Sequence, residues 1–145
     1  MSGGLFGSLG VSATGMNAER TRMDVVAENL ANANTTRGAN GKPYQRQEVL
    51  LQQAPGSSFA DVLGGIQGSE GGVEVTGVVA DQSPGRLVYD PGNPDANAQG
   101  YVTMPNVDPV TEMTDLITAN RGYEANVQAM NAAKQMFTRT LDILR

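Results

Sequence analysis

The C-terminal segment carries an apolar repeat sustained over more than four heptads, and this repeat restricts the fold more than any other feature. Ten positions with spacings of 3 and 4 follow one another without interruption, and eight are apolar or aromatic: Met113, Leu116, Asn120, Tyr123, Val127, Met130, Lys134, Phe137, Leu141 and Leu144. This is the a/d pattern of a helix that packs along its length against another helix. A helix over 110–144 would be about 52 Å long, which is too long for one compact domain of 145 residues.

The N-terminal segment repeats this pattern less regularly. The positions with the same spacing are Leu9, Ser12, Met16, Glu19, Met23, Val26, Leu30 and Ala33. Gly7, Gly10 and Gly15 weaken the first half of this helix. The Asn- and Thr-rich run at 29–36 ends it, because these side chains compete for backbone hydrogen bonds. At the other helix, Asp108 is the predicted N-cap and Pro109 the first helical residue.

Two terminal heptad segments predict a mainly α fold with a small β region, in which the N- and C-terminal helices form an antiparallel coiled coil. The alternative is that each stripe packs on an ordinary globular core. Leu, Ile, Val and Phe number only 30, and the middle of the chain is too poor in them to supply such a core. The polar seam residues Ser12, Glu19, Asn120 and Lys134 either fix the register or face other chains, and the sequence does not separate these possibilities.

The predicted organisation has three parts: a coiled-coil helix over 1–34, a turn-rich β region over 35–109 and a coiled-coil helix over 110–145. Within the β region, Asn40-Gly41 is a strong hairpin-turn signal. Strands are predicted at 43–51, 72–79 and 86–89, and the Gly-rich stretch 52–72 is predicted to be a loop.

The composition excludes several classes of function. The chain has no Cys and no His, so thiolate and imidazole chemistry, including any Ser-His-Asp or Cys-His centre, is impossible within it. A net charge of −5 and an isoelectric point near 4.6 argue against nucleic acid and anionic lipid as partners. We therefore expect neither an enzyme nor a cofactor or metal site.

Two sets of charged residues allow a second interpretation. Asp81, Asp90, Asp95 and Asp108 lie in or near predicted turns, where a Ca²⁺ site or a carboxylate pair is conceivable, but Asp favours turns by bonding its own backbone. The basic residues Arg20, Arg22, Arg37, Lys42 and Arg46 either face an acidic neighbour in an assembly or form a solvated surface. No Gly-rich phosphate-binding fingerprint is present.

The N-terminal residues do not resemble a secretory signal peptide. The first residues lack a basic segment, a long apolar core and a cleavage site, and no apolar run is long enough to span a bilayer. Conventional rules therefore keep the protein in the cytoplasm, unless it leaves by a route that reads no such signal.

Three stretches of the sequence resemble the rod, hook and hook-associated proteins of the bacterial flagellum. Residues 14–35, with the core NLANANT at 29–35, resemble the N-terminal motif of that family. The stretch 86–102 (RLVYDPGNPDANAQGYV), together with EMTDLI at 112–117 and RGYEANV at 121–127, resembles its proximal-rod members more specifically. The resemblance covers nearly the whole chain. One departure is Gly122, where the family usually has Ala. Because Gly is a poorer helix former than Ala, the C-terminal helix is expected to be less rigid at this position.

The resemblance implies a structural subunit of the proximal rod that transmits motor torque and lines the export channel. The implied partners are copies of itself, other rod proteins, the inner-membrane ring and, during secretion, the flagellar export apparatus. The implied location is the periplasmic rod, reached without a cleaved signal peptide. The expected assembly interface consists of seam residues from both helices: Leu9, Met16, Met23, Val26, Leu30, Met113, Leu116, Tyr123, Val127, Met130, Phe137, Leu141 and Leu144.

Two other functions remain as alternatives. The first is a cytoplasmic coiled-coil adaptor or regulator that works as a free dimer, although such a protein has no need of the turn-rich region. The second is a hydrolase with two acidic catalytic residues, for which the chain offers too little core to build a cleft.

Overall fold

The computed structural model describes residues 3–38, 40–54 and 71–143, and the side chains of all of these except 3–6 and 143. Its elements in chain order are α1 (Gly3–Ala31), β1 (Gln47–Ala54), β2 (Gly72–Ala80), β3 (Leu87–Tyr89), β4 (Tyr101–Thr103) and α2 (Pro109–Ile143). The helices have 29 and 35 residues. The predicted class, mainly α with a small amount of β, is therefore confirmed.

The sequence predicts the start of α2 at Pro109 and places the end of α1 within a few residues of Ala31. The Asp108 carboxylate accepts hydrogen bonds from the Val110 N–H (3.0 Å) and the Thr111 hydroxyl (3.1 Å), which makes it the N-cap of α2. At the end of α1, the Asn32 N–H and the Asn32 side-chain amide both donate to the Glu28 carbonyl, each at 3.0 Å. The Asn side chain thus competes for a helix carbonyl, as expected for a residue that ends a helix.

The strands form two separate two-stranded sheets, β1 with β2 and β3 with β4. The pair β3–β4 is antiparallel and places Tyr89 opposite Tyr101, with the ring centroids 5.3 Å apart. The sequence did not predict β4, which has only three residues. The predicted turn is present, since Gly41 has a φ of 74° and the Gly38 N–H bonds to the Lys42 carbonyl at 2.8 Å.

The predicted start of the first strand at Pro43 is wrong, because β1 begins at Gln47. The Tyr44 N–H bonds to the Thr35 carbonyl at 3.1 Å, and the Arg46 N–H bonds to the Asn106 side-chain oxygen at 2.7 Å. These amides serve partners outside any sheet, so the segment before Gln47 does not belong to the strand. The strand predicted at 72–79 is confirmed as β2. Most of the predicted loop over 52–72 lies outside the described residues.

The chain divides into two compact units, each of which draws on both helices. The first unit comprises 1–21, 50–76 and 119–145, and the second comprises 22–49 and 77–118. The buried apolar residues of the described chain are few and mostly small: Ala18, Val25, Val26, Ala33, Val102, Ala119 and Ala133.

The buried face of α2 differs from the predicted stripe. Leu116, Tyr123 and Met130 are half-buried, as a seam requires. The other predicted seam positions that the structure describes include Val127, which is half-buried, and five exposed residues: Met113, Asn120, Lys134, Phe137 and Leu141. The fully buried positions lie one residue earlier and are Glu112, Ala119 and Ala133. The buried face therefore follows small and polar residues, whereas the prediction followed the large apolar ones.

On α1 the predicted stripe agrees better with the burial. Val26 and Ala33 are buried, and Leu9, Met16, Met23 and Leu30 are half-buried. The buried face also includes Ala18, Val25 and Asn29, which the heptad pattern did not select. Neither helix, over its described residues, is long and apolar enough to cross a membrane.

Candidate functional site: a buried ion-pair network in the second unit

Glu112, in the first turn of α2, is the centre of the most extensive side-chain network among the described residues. The residue has 0% exposure, which for a carboxylate requires paired partners. Its Oε1 accepts a hydrogen bond from Arg46 Nε at 2.6 Å, and its Oε2 accepts one from Asn29 Nδ2 at 3.0 Å. Both oxygens of the buried charge are therefore bonded.

Asn29, near the end of α1, uses its full hydrogen-bonding capacity. Its Nδ2 donates to Glu112 and to the Gln47 carbonyl, the latter at 2.9 Å. Its Oδ1 accepts from the Tyr44 hydroxyl at 2.9 Å and from the Gln47 N–H at 2.8 Å. One fully buried amide thus joins the end of α1, the start of β1 and the start of α2.

Arg46 supplies the positive charge of the network. Besides Glu112, its guanidinium contacts Asp115 at 3.4 Å and forms an ion pair with Glu48. Burial alone lowers the pKa of Arg46, but the hydrogen bond and charge of Glu112, together with those of Glu48, outweigh it and raise the pKa. On α1, Arg22 lies 3.9 Å from Asp115. The two guanidinium groups of the network therefore lie among three carboxylates, which are those of Glu48, Glu112 and Asp115.

Tyr44 closes the network beside Asn29. Its pKa is raised, first because burial disfavours the charged phenolate, and then because the carboxylates of Glu28 and Glu112 repel it. The hydroxyl therefore stays protonated and donates to Asn29 throughout the neutral pH range.

The network is a structural junction. Glu112 has both oxygens bonded and no exposed surface. The residues joined are 18, 66 and 83 positions apart in the chain. These hydrogen bonds and the ion pair therefore hold segments that are distant in the chain in one arrangement. Any other arrangement of the segments would leave the buried carboxylate of Glu112 unpaired.

The sequence did not place Arg46 in this site. It predicted a basic cluster that either faces an acidic neighbour or is solvated. Three members have an ion-pair partner within the chain: Arg46 with Glu112, Arg22 with Asp115, and Arg37 with Asp95 at 3.5 Å. Arg37 is also 70% exposed, in agreement with a solvated surface. Arg20 and Lys42 are exposed and have no ion pair with a described residue. The heptad pattern gave no signal for the junction, because it placed Met113 and not Glu112 on the inner face of α2.

The acidic residues of the turns mostly bond their own backbone. Asp81 Oδ1 accepts from the Ser83 N–H and hydroxyl, and these two bonds hold the pKa of Asp81 below its usual value. Asp90 accepts from the Gly92 N–H at 3.3 Å. Asp95 is different, because it accepts from the Thr36 hydroxyl at 2.8 Å and so links the end of the α1 region to this turn. No group of three potential metal ligands lies together in the described part of the chain.

In the first unit, glycines allow the two helices to approach closely. A Cβ placed on Gly15 of α1 would lie 2.9 Å from Asn126 Nδ2 of α2. A Cβ on Gly122 of α2 would lie 3.0 Å from Glu19 Oε1 of α1. Gly122, which the sequence marked as a source of flexibility in α2, therefore also makes room for an acidic side chain.

Comparison with known proteins gives matches over most of the chain. The family described as "Flagella basal body rod protein" matches residues 9–39, and the one described as "Flagellar basal body rod FlgEFG protein C-terminal" matches residues 98–143. Asn29 lies in the first match and Glu112 in the second.

Curated relatives cover nearly all of both sequences. The chain is 51% identical to the flagellar basal-body rod protein FlgC of Bacillus subtilis, over 95% of this chain and 97% of the relative. It is 42% identical to the protein of the same name from Escherichia coli O6:H1, over 92% of each. The protein of that name from Borreliella burgdorferi is 42% identical over 98% of this chain and 99% of its own length.

Proposed function

Since the chain belongs to the FlgC family of flagellar basal-body rod proteins and is a structural subunit of the rod, we propose that its two helices form an antiparallel coiled coil through which the rod transmits motor torque. The terminal helices line the export channel in this proposal. Membership of a structural family is consistent with the absence of catalysis, and the rod subunit assembles with other rod and basal-body proteins.

The order of the helix contacts supports an antiparallel coiled coil. In the first unit, Gly15 and Glu19 of α1 meet Asn126 and Gly122 of α2, respectively. The residue numbers rise along one helix as they fall along the other. In the second unit considered by itself, Arg22 meets Asp115 and Asn29 meets Glu112. Within each unit the contacts thus run in opposite chain directions.

The observation that carries the proposal is the junction at Glu112. A subunit that transmits torque must resist shear between its helices. The Asn29–Glu112 hydrogen bond joins α1 to α2, and Arg46 holds the other oxygen of Glu112. Sliding of α2 against α1 would break the bond to Asn29 and leave an oxygen of a fully buried carboxylate without its donor. A coiled coil held by apolar contacts alone would tolerate a shift of register more readily.

Exposed apolar side chains support assembly with neighbours. Val110 is 73% exposed, and Met113, Ile117 and Leu141 are more than half exposed. We assign them, with the predicted seam residues, to contacts with copies of this chain and with other rod proteins. The inner-membrane ring at the rod base and the export apparatus are the further partners of the proposal. The proposed location is the periplasmic rod, reached without a cleaved signal.

Circular dichroism of the purified protein tests this function against that of a free adaptor. Burial within a single chain leaves both helices incompletely covered, so we expect the monomer to have clearly less helix than the same chain in isolated basal bodies. The free chain should also sediment as a monomer. A stable, fully helical dimer in solution would favour the adaptor and contradict the proposal.

A further inference from the structure

The turn at Asn40 and Gly41 lies outside both the junction and the helix contacts. Asn40 is exposed, and its side-chain Oδ1 accepts a hydrogen bond from the Lys42 N–H at 3.0 Å. The hydrogen-bonded ring that this contact closes, an Asx turn, contains both Cγ of Asn40 and the backbone nitrogen of Gly41. The carbonyl carbon of the side chain is therefore held beside the backbone nitrogen that follows it in the chain.

Gly41 leaves that nitrogen open to approach. It has a φ of 74°, and a Cβ placed on it would meet nothing within 4 Å among the described residues. The Gly41 N–H donates to the Gly38 carbonyl at 3.0 Å. This single bond lies in an exposed turn, where local opening of the backbone costs little free energy. Neither a side chain on Gly41 nor a neighbouring residue therefore shields the nitrogen.

Asn40 is the only one of the eleven Asn residues that is followed by Gly. Asn97 is the best comparison within the chain, because it is also exposed and its Oδ1 accepts from the Gln99 N–H at 2.9 Å in the same kind of turn. The residue after Asn97 is Ala98, however. A Cβ on the following residue hinders the approach of its nitrogen to the Asn side chain, and Gly has no Cβ.

We propose that Asn40 is a site of spontaneous modification, at which the chain converts Asn to isoaspartate and aspartate. The nitrogen of Gly41 attacks Cγ of Asn40, and the new C–N bond closes a succinimide ring. The side-chain nitrogen leaves as ammonia and takes the proton that the Gly41 nitrogen carried. Water then opens the ring: addition at Cγ gives aspartate, and addition at the main-chain carbonyl gives isoaspartate. No oxidant or reductant takes part.

Isoaspartate changes the turn in which it forms. It adds a methylene carbon to the main chain and introduces a negative charge. The turn is closed by Lys42, whose N–H donates to Asn40 and whose carbonyl accepts from the Gly38 N–H at 2.8 Å. A longer main chain after Asn40 displaces these partners from each other. The turn leads to Tyr44, whose hydroxyl bonds to Asn29, so the modification is expected to loosen the segment that enters the junction.

Mass spectrometry of the purified full chain tests the modification. The protein is incubated at neutral pH and digested with trypsin, which cuts after Arg37 and Arg46 and releases residues 38–46, since Lys–Pro bonds resist it. Fragmentation locates the gain in mass that replacement of an amide NH₂ by OH gives, and an isoaspartyl methyltransferase labels the isoaspartate. We expect conversion at Asn40, with isoaspartate as the main product, and intact Asn97 after the same time.

Gly41→Ala is the matched variant. It adds only a Cβ, at a position where the described residues offer no contact within 4 Å, and conversion at Asn40 should be lost over the same incubation. An unfolded Asn-Ala sequence also reacts slowly, so this expectation holds even where Ala strains the turn at its positive φ. Conversion at the native rate in Gly41→Ala would overturn the proposal. It would equally fail if Asn40 stayed intact in the folded chain while the free peptide 38–46 was converted.

Discussion

Replacing Glu112 with Ala is expected to lower the free energy of unfolding by roughly 1–3 kcal/mol, because the buried amide of Asn29 loses the acceptor for one of its hydrogens. Arg46 also loses one carboxylate partner, although it keeps its contacts with Glu48 and Asp115. A domain is typically stable by about 5–15 kcal/mol, so the second unit of this variant should unfold at a clearly lower concentration of denaturant. Urea unfolding followed by far-ultraviolet circular dichroism measures the change.

Two further variants isolate the ion pair from general effects on the helix. Glu124→Ala removes an exposed carboxylate from the same helix and should have little effect on unfolding. Replacing both partners, as in Arg46→Met with Glu112→Leu, removes the charge and its counter-charge together and should cost less than Glu112→Ala alone. If Glu112→Ala and Glu124→Ala lower stability equally, the network does not hold the second unit together.

The second large effect is expected from Ala119→Asp, which should abolish swimming. Ala119 is on the inner face of α2 and has 0% exposure. An Asp at this position would add both volume and an unpaired charge to a packed site, and the helices would have to separate to hydrate it. Swimming in soft agar, with the chain expressed in place of the native copy, is the measurement.

The control for this prediction is Ala125→Asp, which makes the same change on the exposed face of the same helix. It should support normal swimming at an equal level of protein. Normal swimming of Ala119→Asp would show that the inner face of α2 is not needed for rod function, and it would contradict the coiled-coil proposal.

The positions of the helices could be predicted from the sequence, because their signals are local. Asp108 caps α2, and the Asn-rich run ends α1 within a few residues of the predicted position. The sequence predicted the buried face of α2 less accurately than the position of the helix. The heptad pattern selected Met113 and Asn120, whereas the buried residues are Glu112 and Ala119. A search for large apolar residues misses a seam built from small residues and paired polar groups.

The candidate site could be predicted only in part. Residues 29–35 and 112–117 carried the family resemblance, and they contain Asn29 and Glu112. Nothing in the sequence indicated that these two bond to each other, because 83 positions separate them. Arg46 was assigned to a basic cluster for the same reason: its carboxylate partner is 66 positions away. Pairing of distant charges follows from the fold, which single-sequence patterns do not specify.

A density map of the intact basal body most directly tests whether the helices of this chain build the rod as an antiparallel pair. We expect α1 and α2 to lie side by side in opposite directions within the rod wall, with Asn29 beside Glu112. A map in which the two helices of a subunit lie apart, or in which the chain is missing from the rod, would contradict this expectation.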